Sequence, residues 1–304
     1  IQNIGKVTNS GVEIELDYNA FKNKDWSVSV GANATFVKNK IKNLPATMKE
    51  NGYISGSKKW LEGKSIYEFW LRQWHGVDPQ TGDGLYVADV SKYNQGNIGT
   101  GDGNITQSQF DEYKKTVVTI DGKELTNSYT YAKYDFSGSS IPDVFGGFNV
   151  RVSYKNFDLA AVFSYQLGGQ VLDTNYATMM SMTEFGYAQS PDLLKAWKQA
   201  GDITEVPRID NSAAHTTNIG QSYSTRWLTS SDYLNLRSVT IGYQFPKAWL
   251  SKVMLKSARL NLTAENLFML KARQGLNPMA NYSGVTYNEY MPSRNITLGL
   301  NVSF

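Results

Sequence analysis

The chain has 304 residues, which is enough for two small domains or for one large all-β unit. It contains no cysteine, which excludes disulfide scaffolds, thiolate metal sites and cysteine nucleophiles. Its formal net charge of +3 is spread along the sequence, so the clustered basic stripe that indicates a nucleic-acid partner is missing. The mean hydropathy is −0.40 although 41% of the residues are hydrophobic, so apolar and polar residues must alternate.

The first predicted strand shows this alternation. In GVEIELDYNAF, Val12, Ile14 and Leu16 alternate with the polar residues Glu13 and Glu15, the pattern of a strand with one apolar and one polar face. After the turn KNKD, the stretch WSVSVGANATF has an apolar or small residue at every second position. Glu13 and Glu15 share a face and could suggest acid–base catalysis, but carboxylates that face the lumen of a barrel need no such role.

Five later segments repeat the pattern. GGFNVRVSY and FDLAAVFSY are joined by the dipeptide Lys155-Asn156, which predicts a tight hairpin. YLNLRSVTIGYQF and ARLNLTAENLF follow, and the chain closes with SRNITLGLNVSF. In that last segment the apolar face carries Ile296, Leu298, Leu300, Val302 and Phe304.

Long connections separate these hairpins on the other side. Residues 38–64, 167–232 and 267–293 are rich in Gly, Asn, Ser and Tyr. Short turns on one side and long loops on the other are the arrangement of outer-membrane barrels. The sequence SPDLLKAWKQAG predicts a helix with Ser190 as its N-cap, and with Leu193, Leu194 and Trp197 as its buried stripe.

Aromatic residues mark the ends of the apolar faces, where a membrane barrel has its girdles. From Trp26 to Phe36 is ten residues, which span roughly 25 Å of the membrane normal when a strand is tilted by about 40°. The predicted girdle residues are Trp26, Tyr154, Phe157 and Phe245 on the short-turn side, and Phe36, Tyr165, Tyr233 and Phe268 on the long-loop side. The polar faces carry mostly small and amide residues, as in a wet lumen. These features favour a transmembrane barrel over a soluble sandwich or lipocalin-like barrel.

No pattern indicates catalysis, a metal or a cofactor, so we expect a protein that is not an enzyme. His75 and His215 lie in unrelated contexts without metal-ligand spacing. The stretch GTGDGNITQSQF resembles half of an EF-hand loop, but Gln109 occupies the position of the bidentate glutamate, so calcium affinity should be poor. Aromatic residues in the long loops could stack on sugar rings or pack the loops together. The candidate ligand-binding residues are Tyr176, Tyr187, Tyr223 and Trp227.

Several motifs in one order resemble the C-terminal barrel region of the SusC-like TonB-dependent transporters of Bacteroidota. They are IGKVTNSGVEIEL, HGVDPQTGDGLY, IPDVFGGFNVRVSYKNFDLAAVFSYQLGGQV, RWLTSSDYLNLRSVTIGYQFP, SARLNLTAENLF and YMPSRNITLGLNVSF. The resemblance runs from Ile4 to Phe304 and is weakest in the loops. It implies an antiparallel β-barrel of about 22 strands with long external loops.

We expect about nine or ten of those strands in residues 1–304, which makes this chain the C-terminal part of the barrel, without the plug domain and the early strands. The resemblance implies a multi-pass outer-membrane protein in contact with outer-membrane lipid. It also implies import of an oligosaccharide or peptide nutrient, powered by TonB through the absent N-terminal region and assisted by a SusD-like surface lipoprotein. A secreted, soluble β-rich glycan-binding module is the alternative function.

The C-terminal strand keeps its alternation up to Phe304. In outer-membrane barrels, a terminal aromatic residue after alternating apolar residues is the signal that the barrel-assembly machinery reads. The resemblance therefore implies that Phe304 is an assembly signal, and the alternative is an ordinary edge strand that ends there.

Overall fold

A computed structural model of the chain describes residues 5–182, 186, 188–220 and 223–304. Its strands in chain order are β1 (Lys6–Lys22), β2 (Trp26–Asn43), β3 (Tyr53–Ser55), β4 (Lys58–Trp60), β5 (Glu68–Arg72), β6 (Trp74–Val77), β7 (Gly84–Val87), β8 (Val117–Ile120), β9 (Lys123–Thr126), β10 (Tyr134–Ser139), β11 (Val144–Tyr154), β12 (Phe157–Leu167), β13 (Gln170–Leu172), β14 (Leu228–Ser230), β15 (Tyr233–Gln244), β16 (Ser257–Glu265), β17 (Met269–Lys271) and β18 (Asn295–Ser303). Four α-helices accompany them in the described ranges: α1 (Gln107–Thr116), α2 (Thr174–Met179), α3 (Ala213–Ile219) and α4 (Lys247–Leu250).

The long strands form one antiparallel sheet, which confirms the predicted fold class. Eight strands of the described residues belong to it, in the order β1-β2-β11-β12-β15-β16-β18, with β17 paired to β15. Each of β1 and β18 has a sheet neighbour on one side only within this described sheet. A sheet with two open edges fits part of a larger closed barrel, because an open edge cannot face lipid. The expected count of about nine or ten strands is slightly too high for this sheet.

The pairing register confirms the alternation of the two faces. Leu298 of β18 lies opposite Leu262 of β16, and the adjacent Thr297 lies opposite Thr263. Opposite residues of an antiparallel pair share a face, so apolar side chains align across the sheet on one side and polar side chains on the other. Among the described residues, no helix has both the length and the apolar character needed to cross a membrane.

A bulge in β15 moves one predicted girdle residue to the other face of the sheet. The pairing between β12 and β15 skips Arg237. Beyond it, Tyr165 lies opposite Leu234, and Gln166 lies opposite Tyr233. One extra residue moves the following side chains of a strand to the other face. Tyr233 therefore lies on the polar face, and its predicted place beside Tyr165 on the apolar face is wrong.

Three long connections lie at one end of the sheet and form what we call the loop layer, residues 44–143, 168–232 and 266–294. The first begins later than the predicted residue 38 because β2 continues to Asn43, and it extends far beyond residue 64 because small sheets occupy residues 53–139. Backbone hydrogen bonds join the three connections, from Leu172 N to the Gly284 carbonyl at 2.7 Å and from Arg72 N to the Tyr223 carbonyl at 3.3 Å. The loop layer is therefore a packed body rather than a set of separate loops.

The predicted helix after Ser190 is shorter than expected. Ser190 caps it by accepting a hydrogen bond from Asp192 N, but the segment is a 3₁₀ helix that covers only Pro191–Lys195. Ala196 has an extended backbone, which ends the helix there. Leu193 is buried as predicted, whereas Leu194 is exposed. A five-residue 3₁₀ helix is too short to bury the predicted stripe of three side chains.

Candidate functional site

Aromatic side chains form a row of two contacting groups at the short-turn end of the apolar face. The ring centroids of Trp26 and Tyr154 are 4.3 Å apart, and those of Phe157 and Tyr243 are 4.5 Å apart. Tyr243 also contacts Phe245, with a centroid distance of 5.1 Å. Tyr243 was not among the predicted girdle residues, although the two-residue period already placed it on the apolar face. We call these five residues the short-turn row.

The predicted girdle residues on the long-loop side are more dispersed. Phe36 and Phe268 are exposed, and the Tyr165 hydroxyl donates a hydrogen bond to the Asn33 carbonyl at 3.0 Å. Phe268 lies in the short segment without strand structure between β16 and β17. That these residues contact lipid headgroups stays a prediction.

Two of the candidate ligand-binding residues pack inside the loop layer. Trp227 is only 2% exposed and belongs to a hydrophobic cluster that includes Phe69 and Leu172. Tyr176 meets Trp227 edge-to-face at 5.9 Å and donates its hydroxyl to Asp192 Oδ2 at 2.8 Å. Neither ring offers a free face to a sugar in this conformation, so the loop-packing alternative describes both.

The other candidate aromatics differ in exposure. Tyr223 is 39% exposed at the surface of the loop layer, and Tyr187 lies outside the described residues. Three tyrosines that the sequence analysis did not select are more open: Tyr282, Tyr287 and Tyr290. They lie in the predicted long connection 267–293, so their position in a Tyr-rich loop was the available signal.

Two arginines bind the packed aromatics to the rest of the loop layer. The Arg226 guanidinium lies 4.3 Å from the ring centroid of Trp227 and 4.7 Å from that of Trp74. Burial lowers the pKa of Arg226 to about 10, which still leaves it charged at neutral pH. Arg273 lies 3.6 Å from the Tyr176 ring centroid, and its Nη2 is 2.9 Å from Asp173 Oδ2. These contacts are cation–π and ion-pair interactions in a mostly dry environment, where both are strengthened.

A charged cleft opens between the first and second connections of the loop layer, with a volume of about 470 Å³. Arg208 Nη2 lies 3.1 Å from Asp83 Oδ1 and 3.1 Å from Asp210 Oδ2. The buried His215 donates from Nε2 to the Arg208 carbonyl at 2.8 Å, and Asn218 Oδ1 accepts from Tyr129 N at 2.6 Å. The cleft therefore offers both signs of charge to a polar ligand.

The EF-hand-like stretch folds as a turn before α1. Ile98 and Ile105 form a β-bridge across it, and Thr106 caps the helix through a capping box with Gln109. The Gln109 side chain thus bonds the Thr106 backbone N at 2.8 Å instead of turning toward the loop. Among the described residues, His, Cys, Asp and Glu side chains form no group of three that could hold a metal ion.

Lys58 is a buried lysine of the loop layer. Its Nζ donates to the Tyr67 carbonyl at 2.8 Å and to Ser140 Oγ at 3.3 Å, and lies 3.1 Å from the centroid of the Phe69 ring. Burial lowers the pKa of Lys58 to about 7, and the charge of Glu68 opposes this shift. The Ser140 hydroxyl donates to the Tyr282 carbonyl at 2.9 Å, so Lys58 supports a junction of two connections.

We expect the loop layer to become more stable as pH rises from about 7 to 9. The unfolded chain keeps Lys58 at its ordinary pKa of 10.5 and the folded chain releases that proton above about 7, so the unfolded state binds more protons in this window. Urea unfolding of the full-length parent at several pH values, read by protease sensitivity of the loops, measures this. The variant Lys58→Met should flatten the dependence, and an equally steep rise in that variant would contradict the assignment to Lys58.

The whole chain resembles known TonB-dependent receptors, although no family model matches it. TonB-dependent receptor P3 of Formosa agariphila is 27% identical over 322 residues, which cover 100% of this chain and 29% of the receptor. TonB-dependent receptor SusC of Bacteroides thetaiotaomicron is 24% identical over 316 residues, which cover 100% of this chain and 27% of SusC. The resemblance to SusC-like TonB-dependent transporters is confirmed. The chain spans less than a third of the curated relatives it matches.

A solved structure shows the same fold as this chain. The RagAB peptide transporter superposes with a TM-score of 0.75 at 23% identity, over 100% of this chain and 30% of the solved chain. Such partial coverage fits a segment of a larger transporter barrel, as the sequence motifs predicted. A membrane β-barrel location follows from these matches together with the exposed apolar face. The relatives are receptors and transporters by name, which agrees with the expectation that the chain is not an enzyme.

Proposed function

We propose that residues 1–304 form the C-terminal strands and external loops of a multi-pass outer-membrane transporter that imports an oligosaccharide or peptide nutrient. TonB powers import through the N-terminal region of the parent protein, and a SusD-like surface lipoprotein caps the loop layer. The observation that carries this proposal is the match of the whole chain, strands and loops together, to a peptide transporter with a TM-score of 0.75.

The loop layer supplies the surfaces that cargo would meet. Its charged cleft around Arg208 and Asp83 suits the charged groups of a peptide, and the open ring of Tyr290, which is 94% exposed, suits the CH face of a sugar. Both features lie in the loop layer, on the side where long external loops face the medium. They support recognition of a polar nutrient.

A secreted, soluble glycan-binding module is less consistent with the apolar face. Leu298 and Leu300 of β18 are exposed, and so are Leu260 and Leu262 of β16. Soluble proteins rarely expose large contiguous apolar patches, whereas a lipid-facing barrel wall requires them. The exposed stripe therefore favours the transporter over the soluble alternative.

Uptake by cells that carry or lack the parent gene tests the proposal. Labelled peptide mixtures and labelled oligosaccharides are supplied separately, and the transporter predicts that deletion abolishes uptake of one of these classes. A parent without its TonB-binding segment serves as the control, and should localise normally but fail to import. Recovery of the parent in the soluble fraction, or undiminished uptake of both classes after deletion, would refute the proposed function.

Phe304→Ala in the full-length parent is expected to lower its outer-membrane level several-fold, and by more than Val302→Ala. Both changes remove apolar surface from one strand face, and Val302 contributes mainly burial at about 25 cal/mol per Å². Phe304 would lose interfacial anchoring and also recognition by the barrel-assembly machinery. Immunoblots of outer-membrane fractions measure the effect.

Ser303→Ala is the matched control for this comparison. Ser303 lies on the polar face, where it pairs with Ser257 of β16. Its carbonyl accepts a hydrogen bond from Lys256 N at 2.9 Å, and the substitution retains this bond. Its outer-membrane level should match that of the unmodified parent. Equal levels for all three variants would make Phe304 an ordinary strand end.

A further inference from the structure

The turn between β15 and β16 differs from the other short turns. The β1–β2 and β11–β12 turns are tight, whereas residues 246–256 contain α4 and a 3₁₀ helix, Ser251–Val253. We call residues 246–256 the foot. Its backbone is tied to the end of the sheet, because Lys256 N donates to the Ser303 carbonyl at 2.9 Å.

The foot packs on the lipid-facing side of the sheet. Helix α4 contacts β16, and its Leu250 is buried. Ala258, the first apolar-face residue of β16, is 5% exposed, whereas Leu262 farther along the same face is 43% exposed. This cover is local to Ala258, since Val302 opposite it is 40% exposed, and α4 is the helix that contacts β16. The foot therefore lies beside the membrane and not across the lumen.

The outer surface of the foot is apolar. Trp249 and Val253 are exposed, and Met254 is 88% exposed. Met254 also takes a left-handed backbone conformation, with φ of 59°, which directs the chain back toward β16. Exposed apolar side chains beside a lipid-facing sheet, on a short amphipathic segment, fit insertion into the interfacial region of a bilayer.

The short-turn end of the sheet is strongly basic. The three short turns, residues 22–25, 155–156 and 246–256, contain six lysines and one aspartate. Their net charge of +5 exceeds the +3 of the whole chain, so the rest of the sequence is slightly acidic. These lysines follow the short-turn row directly, and Lys155 Nζ lies 5.2 Å from the ring centroid of Tyr154. Cations just beyond an aromatic row lie at the depth of lipid phosphates.

We infer that the foot is a binding site for anionic glycerophospholipids of the adjacent leaflet. Trp249, Val253 and Met254 insert among the acyl chains, and the exposed Lys247 and Lys252, with Lys256, bind the phosphate groups. Continuity with the lipid-facing sheet and the positive charge of the edge select this ligand class. The site anchors the barrel at a fixed depth and is independent of the cargo that the loop layer recognises.

Lipid binding by the purified full-length parent in neutral detergent tests the site. The probes are short-chain phosphatidylglycerol and short-chain phosphatidylcholine, measured by native mass spectrometry. The triple variant Lys247→Gln/Lys252→Gln/Lys256→Gln should lose roughly tenfold or more of its affinity for phosphatidylglycerol, since each surface lysine contributes about fivefold near an anionic lipid. Its affinity for phosphatidylcholine should be unchanged.

The matched control has the same change of charge in the loop layer: Lys114→Gln/Lys115→Gln/Lys123→Gln, three lysines that are also exposed. Unaltered mobility shifts on heating in gels establish that both variants fold. Equal phosphatidylglycerol affinity in the two triple variants would overturn the inference, as would equal binding of the two lipids by the unmodified parent.

Insertion is measured separately, with a fluorophore attached to Met254→Cys. The chain has no cysteine of its own, so the label is unique in this region once any cysteines elsewhere in the parent are replaced. Brominated phospholipids in reconstituted vesicles should quench this label. They should not quench one at Val118→Cys, an exposed position in β8 of the loop layer. An unquenched label at position 254 would show that the foot does not enter the bilayer.

Discussion

Val239→Arg is expected to lower the free energy of unfolding of the full-length parent in lipid by about 2–4 kcal/mol. Val239 lies opposite Ala161 on the apolar face, in the row of the sheet that also contains Val150 and Val30. Val30 lies about midway between Trp26 and Phe36 along β2, where a charge is farthest from either headgroup region. Reversible urea unfolding in vesicles measures the change.

Thr240→Arg is the matched control, because it places the same side chain one residue later on the other face. Thr240 lies opposite Thr263, and their hydroxyl oxygens are 3.0 Å apart. This face already carries Arg259, whose Nη2 is 2.7 Å from Asp158 Oδ2, so it accommodates a solvated cation. Its expected loss is therefore small. Equal losses for the two arginine variants would show that the faces are not divided between lipid and lumen.

The faces of the strands could be predicted from sequence because the two-residue period is local. Leu298 and Thr297 lie where that period placed them, since β18 pairs with β16 without interruption. Tyr233 was placed wrongly because a bulge leaves little trace in a single sequence. The residue that β12 skips is Arg237, and the backbone N of Asn266, which has a left-handed φ of 51°, donates to its carbonyl at 3.0 Å. Such an irregularity depends on the neighbouring strand.

The loop layer was less predictable because its side chains are placed by contacts distant in sequence. Trp227 is held by Arg226, its neighbour, but also by Tyr176, and Arg226 in turn reaches Trp74. The sequence shows that these residues are aromatic or basic and does not show that they meet. It therefore identified aromatic loops correctly without separating the packed Trp227 from the exposed Tyr223.

Trp227→Ala is expected to destabilise the loop layer by about 3–5 kcal/mol, the usual loss for a large buried aromatic side chain. The change leaves a cavity beside Phe69 and Leu172 and removes one of the two rings that flank the Arg226 guanidinium. A buried cation that loses such a contact adds to the loss. Native-state proteolysis of the full-length parent, as a function of urea, measures the opening of the loops while the barrel remains folded.

Tyr223→Ala separates this structural effect from ligand recognition. Tyr223 is partly exposed, and its backbone carbonyl, which accepts from Arg72 N, remains in the variant. Loop stability should therefore stay within about 0.5 kcal/mol of the parent, the usual range for surface substitutions. If Tyr223 stacks on cargo, uptake by this variant falls while its protease resistance is retained. Trp227→Ala should lose both protease resistance and uptake, because the buried ring affects uptake only by keeping the loops packed. Normal protease resistance in Trp227→Ala combined with lost uptake would contradict this assignment and make Trp227 a direct ligand contact.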